Sequence, residues 1–162
     1  YIMTDETKVV DLLSHYFPRE FRGVYPSSGF QTRSLTDIGW SNDHVNYIIF
    51  KTCKKWGMRF SAIHQSVDGT VEYFDPWGKD PPQDVAFWLS QNIQQWTVGN
   101  HKYLLPHASP LSAAFCVHYI YSRYGSGSSC AEFTAEFGDN LKKNEKLLLY
   151  YMPYFKPECE PI

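Results

Sequence analysis

The sequence predicts an α+β fold in which helices flank a central, mostly antiparallel β-sheet. The first periodic segment is helical, two strand-like segments bracket a hairpin signal, and helical patterns dominate the last third of the chain. The 162 residues are 43% hydrophobic and include 5 Trp, 12 Tyr and 11 Phe, enough to build a core and unlike a disordered chain. No repeat or linker divides residues 1–162, so we predict a single domain.

The first part of the chain predicts a helix and then a strand. Apolar residues at helical spacing predict a helix over residues 7–17, which Pro18 ends. Residues 22–42 are rich in Gly, Pro, Ser and Thr, so we expect connecting loops there. Residues 45–50 are β-branched and aromatic, which is typical of a buried strand.

The middle of the chain predicts a hairpin, a helix and a short strand. Residues 59–64 and 71–74 flank Asp68-Gly69, a strong hairpin signal. Two prolines precede an apolar stripe that predicts a helix over residues 83–97. Residues 103–105 predict a short strand.

The last third of the chain predicts three helices. Residues 113–124 are apolar nearly all round, so we expect a buried central helix that ends at Gly125. Residues 131–137 and 141–151 show two further helical patterns.

Charge and cysteine content exclude several function classes. Fifteen Lys and Arg against 17 Asp and Glu give a formal net charge of −2, which makes nucleic acid an unexpected partner. No stretch approaches the roughly 20 apolar residues of a membrane span, and the first residues lack a signal-peptide pattern, so we expect no membrane partner. The four cysteines (Cys53, Cys116, Cys130 and Cys159) are widely spaced without a C-x-x-C pair, so we expect reduced thiols, no metal and no small-molecule cofactor.

Four short motifs occur in order along the chain. They are Phe21-Arg22-Gly23-Val24-Tyr25 followed by Gly29-Phe30, Tyr73-Phe74-Asp75-Pro76-Trp77-Gly78, Pro110-Leu111-Ser112-Ala113-Ala114, and Met152-Pro153-Tyr154-Phe155. In order and spacing they resemble adenain, the cysteine endopeptidase family of adenoviruses and related DNA viruses, over almost the whole chain. The resemblance implies a papain-superfamily fold whose central helix, residues 113–124, begins at the nucleophile.

The resemblance also implies a catalytic Cys, a His base, an acidic residue that orients the His, and an oxyanion-hole Gln. Here the His position holds Arg59, the nucleophile position holds Phe115 and the Gln position holds Ala108. Only Asp75 keeps the chemistry of its position. Because Arg stays protonated to about pH 12, it cannot take and return a proton at neutral pH. We therefore expect no catalytic residues, and we expect Arg59 and Asp75 to form a salt bridge.

Cys116 is the alternative nucleophile. A slip of one residue would place it in the first turn of the central helix, where backbone N–H groups lower a thiol pKa. As a small apolar residue it would instead pack in the core. His107, in the loop before the helix, is the candidate base, because strand and helix geometry turn His64 and His118 away.

The sequence leaves two functions open. One is an inactive protease homologue that acts by protein binding, by analogy with the family a minor capsid or cement protein whose partners are viral structural proteins. The other is an active cysteine endopeptidase that processes viral proteins with Cys116. Either would be located in the virion, and in the host nucleus or cytoplasm during assembly.

Overall fold

A five-stranded mixed sheet organises the chain, with helices on both of its faces. A computed structural model describes residues 3–42, 45–125 and 127–157. The elements follow in the order α1 (Asp5–Tyr16), β1 (Phe21–Pro26), α2 (Leu35–Ile38), β2 (Tyr47–Lys54), β3 (Gly57–Gln65), β4 (Val71–Phe74), α3 (Gln83–Asn92), β5 (Trp96–Val98), α4 (Ser112–Gly125), α5 (Cys130–Ala135) and α6 (Leu141–Tyr151). Among the described helices, none is long and apolar enough to cross a bilayer.

The strand order is β1-β2-β3-β4-β5. β3 pairs antiparallel with β2 and β4, whereas the edge strands β1 and β5 pair parallel with β2 and β4. The α+β class with flanking helices is confirmed, but the sheet is evenly mixed rather than mostly antiparallel. The reason is connectivity. Tight turns join β2 to β3 and β3 to β4. A longer crossover containing α2 connects β1 to β2, and another containing α3 connects β4 to β5.

Local sequence signals account for the elements that were predicted correctly. The Thr4 side chain caps α1, and the hairpin turn between β3 and β4 is closed by Asp68, whose carboxylate accepts a hydrogen bond from the Thr70 N–H at 3.0 Å. Gly69 in that turn has φ +88°, which L side chains rarely adopt. The helices predicted over residues 7–17, 113–124, 131–137 and 141–151 are confirmed as α1, α4, α5 and α6.

Two predictions placed secondary structure incorrectly. Residues 22–42 are not only loops, because β1 and the capped helix α2 lie there. The helix predicted over residues 83–97 ends at Asn92, and Trp96–Val98 form β5. In both cases an edge strand forms because a neighbouring strand supplies its hydrogen bonds, and that partner is invisible to local periodicity.

The strand predicted at residues 103–105 is also wrong. These residues form an irregular segment in which Leu104 and Leu105 are buried. The Leu104 N–H donates to the Pro76 carbonyl at 2.9 Å and its carbonyl accepts from the Asn144 side chain at 3.0 Å, so separate hydrogen bonds rather than a ladder fix the segment. Apolar residues that fill the core thus produced the strand-like pattern.

The sheet separates two apolar clusters. One lies between the sheet and helices α1, α4 and α6 and contains Phe74, Phe115 and Cys116. The other lies under α3 and contains Phe50, Ile63 and Trp88. The positions that the adenain resemblance assigns to catalysis lie where α4 begins and where β3 and β4 approach it.

Candidate functional site

The start of α4 is packed into the core. Ser112 Oγ accepts a hydrogen bond from the Phe60 N–H at 2.9 Å, which ties the helix start to β3. Phe115, at the position implied for the nucleophile, is 0% exposed and its ring centroid lies 5.9 Å from that of Phe74 and 4.6 Å from that of Phe137. The side chain at this position therefore contributes to packing and is out of reach of a ligand.

Cys116 lies in the same cluster. Its side chain is 0% exposed, and burial, with a smaller effect from the nearby Asp75 charge, raises the pKa of its thiol well above the usual value. Among the hydrogen bonds of the described residues, none joins the Cys116 thiol to a histidine. Because the thiolate is the reactive form, Cys116 is held in an inert state.

Arg59 lies near the start of β3, where aromatic rings and a carbonyl hold its side chain. Its Nη2 donates to the His107 carbonyl at 2.8 Å. Its Cζ lies 3.9 Å from the ring centroid of Trp77 and 5.1 Å from that of Trp56. A planar guanidinium fits such a contact with an aromatic face better than an ammonium does.

Asp75 is buried at the β4 end but does not pair with Arg59. Its Oδ2 accepts from the backbone N–H groups of Trp77 and Lys79, at 3.2 and 2.9 Å. Desolvation raises the pKa of its carboxyl, while those two hydrogen bonds and the Arg59 charge partly offset the rise. Within the described ranges, the ion pairs closer than 4.0 Å do not include Arg59 and Asp75, so the predicted salt bridge is wrong. The Asp75 carboxylate is hydrogen-bonded by N–H groups of its turn, and the Arg59 guanidinium contacts two indole rings and a carbonyl.

Three of the described histidines, His64, His107 and His118, lie in separate environments. His107 is exposed, and its ring centroid lies 4.6 Å from that of Trp56. His64 is buried against Tyr47, and desolvation together with the Arg123 charge lowers its pKa to about 3. His118 faces the aromatic cluster around α5 and α6, and burial lowers its pKa to about 4.

The two other described cysteines, Cys53 and Cys130, are free thiols. Cys53 is exposed at the end of β2, Cys130 is buried, and Cys159 lies outside the described residues. In the part of the chain that the structure describes, no group of three or more His, Cys, Asp or Glu side chains could hold a metal ion.

A groove of about 470 Å³ opens beside Arg59, between the β2–β3 turn, the loop before α4 and the start of α1. Its apolar surface is formed by Trp56, Met58, Phe60, Ala108 and Pro110, and its acidic end by Asp5 and Glu6. Trp56 is 46% and Met58 is 43% exposed, so two large apolar side chains face solvent at its mouth. We name this feature the Trp56 groove.

Sequence reasoning placed Ala108 at the site but missed the rest of the groove. The start of α1 lies at the Trp56 groove only because of tertiary contacts, among them an ion pair of 2.5 Å between Glu6 and Lys51 of β2. The one local signal was Trp56, a large aromatic side chain in a tight turn between two strands.

No protein-family model and no curated protein matches this sequence. Among solved structures, the chain is similar to an AvrA deletion variant determined with IP6 and CoA, at a TM-score of 0.52 and 10% identity over 74% of this chain and 48% of AvrA. It is also similar to the central domain of the uncharacterized protein Lpg1148 from Legionella pneumophila, at a TM-score of 0.45 and 15% identity over 83% of this chain and 84% of that one.

The sheet with its flanking helices is similar to the fold of AvrA, which is papain-like. The chain spans about half the length of AvrA, and at 10% identity the likeness concerns the fold alone. The residues of the site must therefore carry any functional argument.

Proposed function

We propose that this chain is a non-catalytic, cysteine-protease-like domain that acts by binding a protein segment. The observation that carries the proposal is Arg59: a guanidinium held against two indole rings occupies the position that the adenain resemblance assigns to the base. A group that stays protonated at neutral pH cannot act as a general base. With Cys116 fully buried as well, no Cys116 thiol is available at the groove to act as a nucleophile.

The adenain resemblance supplies the biological setting of the proposal. An adenain-like domain without the catalytic pair would be a viral pseudoprotease, and its partners would be structural proteins of a DNA virus. It would serve as a minor capsid or cement protein in the virion. The four sequence motifs support this part of the proposal, and it is separable from the binding activity itself.

The Trp56 groove supports a specific kind of partner segment. Exposed aromatic and thioether side chains provide an anchor for one apolar side chain. At the acidic end, Lys51 pairs with Glu6, whereas the described salt bridges do not include Asp5, so the field there is negative but partly neutralised by Lys51. An extended segment with one apolar side chain and a neighbouring Lys or Arg complements this surface.

The proposal can be tested by fluorescence polarisation with labelled hexapeptides titrated with the full chain. One peptide carries a central leucine flanked by lysines, and a matched peptide carries glutamates in place of the lysines. We expect saturable binding of the lysine peptide, weakened about tenfold by Trp56→Ala, as for a truncated interface anchor. Phe87→Ala removes another exposed aromatic ring, 54% exposed on α3, and should leave binding unchanged.

Three outcomes would overturn the proposal. The first is the absence of saturable binding of the lysine peptide, and the second is equal weakening by Trp56→Ala and Phe87→Ala. The third is cleavage of a peptide library that Cys116→Ala abolishes, which would establish Cys116 as the nucleophile of the alternative, an active endopeptidase for which His107 is the candidate base.

A further inference from the structure

A second cavity, of about 210 Å³, lies where β2, β3 and β4 meet the loop that leads into α3. We name it the Lys54 pocket. Thr52 of β2 and Arg59 of β3 are register partners, and Lys54 and Ser61 lie two residues away from them on the same face of the sheet. Of its lining residues only Phe60 also lines the Trp56 groove, so a ligand of this pocket can be tested separately from the partner segment proposed above.

The buried part of the Lys54 pocket is polar, and its hydroxyl groups already have partners. Ser61 and Tyr73 are 5% and 2% exposed, and their hydroxyls are hydrogen-bonded to each other. The Thr52 Oγ1 pairs with the Ser27 Oγ at 2.7 Å. Because these groups are satisfied within the protein, binding at this pocket must come from the charged side chains around them.

Three cationic side chains line the Lys54 pocket: Lys54, Arg59 and Lys79. Within residues 3–42, 45–125 and 127–157, the ion pairs closer than 4.0 Å do not include any of the three. Lys54 and Lys79 are exposed, and their flexible stems let each ammonium group turn toward a ligand. Arg59 is instead held against Trp77, so the pocket combines one held cation with two adjustable ones.

Two carboxylates limit the charge that the Lys54 pocket can accept. Asp75 and Asp80 also line it, and the Asp75 Oδ2 is hydrogen-bonded by two N–H groups of its turn. Three cations against two carboxylates leave an excess of one positive charge. A ligand carboxylate, with a single negative charge, matches this excess better than a phosphate monoester, whose charge is about −1.5 to −2. The cavity is also smaller than the roughly 300 Å³ at which ligand pockets usually begin, so it fits one such group rather than a whole cofactor.

We propose that the Lys54 pocket binds a carboxylate group through Lys54, Arg59 and Lys79. Ammonium and guanidinium groups donate charge-assisted hydrogen bonds to carboxylate oxygens, and these are stronger than hydrogen bonds between neutral groups. The carboxylate can belong to a free carboxylic acid or to an acidic side chain of a protein, since both present the same two oxygens. A neutral amide of the same shape lacks the charge and should not bind.

The test is a titration of the ¹⁵N-labelled full chain, followed by ¹H–¹⁵N correlation NMR at an ionic strength held constant with sodium chloride. Sodium acetate probes a free acid, and acetyl-Gly-Glu-Gly-amide probes an acidic side chain. Acetyl-Gly-Gln-Gly-amide is the neutral ligand control. We expect acetate or the Glu peptide to shift the amide signals of Ser61 and Lys79 saturably, and the Gln peptide to leave them in place. The tighter of the two acidic probes identifies the source of the carboxylate.

Variants of opposite sign test the charge argument. Lys54→Gln should weaken binding of the acidic probe about threefold, and Asp80→Asn should strengthen it about threefold, because each changes one exposed charge at the pocket. Lys143→Gln, at an exposed position of α6, is the matched control and should leave binding unchanged. The same spectra show whether each variant is folded.

Four outcomes would overturn the proposal. They are the absence of saturable shifts at Ser61 and Lys79 with both acidic probes, equal shifts with the Gln peptide, equal effects of Lys54→Gln and Lys143→Gln, and tighter binding of inorganic phosphate than of either acidic probe. The last outcome would mean that Asp75 and Asp80 do not limit the charge of the ligand.

Discussion

The starts of α4 and β3 differ at the positions that the adenain resemblance assigns to catalysis. At α4, Phe115 and Cys116 are both 0% exposed and belong to the apolar core. At β3, a charged side chain stays near the surface, where Trp77 and the His107 carbonyl hold Arg59. One region is part of the packed core and the other presents a held surface cation.

The comparison teaches that the two regions should respond differently to substitution. Changes at α4 should act on the free energy of unfolding, because they leave cavities in a close-packed interior. Changes at β3 should act mainly on local order and on the adjacent Trp56 groove.

Phe115→Ala should lower the free energy of unfolding by about 3–5 kcal/mol, because it removes a fully buried aromatic ring. Urea denaturation followed by tryptophan fluorescence measures the change. Phe87→Ala, on the exposed side of α3, should stay within about 0.5 kcal/mol of the unmodified chain. A loss below about 1 kcal/mol for Phe115→Ala would show that the position is not part of a packed core.

Acid should destabilise the fold through its buried histidines. The folded-state pKa of His64 is lowered to about 3 and that of His118 to about 4, below the value of about 6.5 expected in the unfolded chain. The unfolded chain therefore binds more protons, so stability is complete above about pH 6.5 and falls as the pH drops toward the folded-state values. For the 5% exposed His64 the slope is at most about 1.4 kcal/mol per pH unit.

His64→Phe is the variant that tests this pH dependence, because it retains a ring against Tyr47 and cannot titrate. Urea midpoints measured between pH 4 and pH 7 should change less steeply with pH than those of the unmodified chain. If the two pH profiles have the same slope, His64 is not the buried neutral group described here.

Arg59→Ala should lower the free energy of unfolding by about 1–2 kcal/mol, because it removes the stack on Trp77 and the hydrogen bond to the His107 carbonyl. Arg59→Lys keeps the charge but not the planar group, so it should recover less than half of that loss. Thermal denaturation at neutral pH measures both variants. A lysine variant as stable as the unmodified chain would mean that charge alone matters at this position.

The sequence predicted the elements that depend on local pattern. Helix α4 follows from an apolar segment ended by Gly125, and the β3–β4 hairpin follows from Asp68-Gly69. Strand β5 could not be predicted, because its hydrogen bonds come from β4, across the whole of α3. Edge strands of this length carry too few residues for a period-2 pattern.

The candidate site was predicted in composition but not in geometry. Motif order identified Arg59 and Asp75 as the residues to compare, and opposite charges suggested a pair. Their actual partners are distant in sequence or belong to the backbone: Arg59 bonds to His107, 48 residues away, and Asp75 to two N–H groups of its own turn. A charge pattern does not reveal which of several competing partners lies nearer. In this fold, an indole ring is nearer to Arg59, and N–H groups are nearer to Asp75, than the two charges are to each other.

Alkylation of the native protein with iodoacetamide at neutral pH, read out by mass spectrometry, tests the non-catalytic account most directly. Cys53 is exposed and serves as the internal reference. We predict that Cys53 is alkylated while Cys116 is modified only after denaturation. Alkylation of native Cys116 as fast as that of Cys53 would contradict the account, because it requires an accessible thiolate at the start of α4.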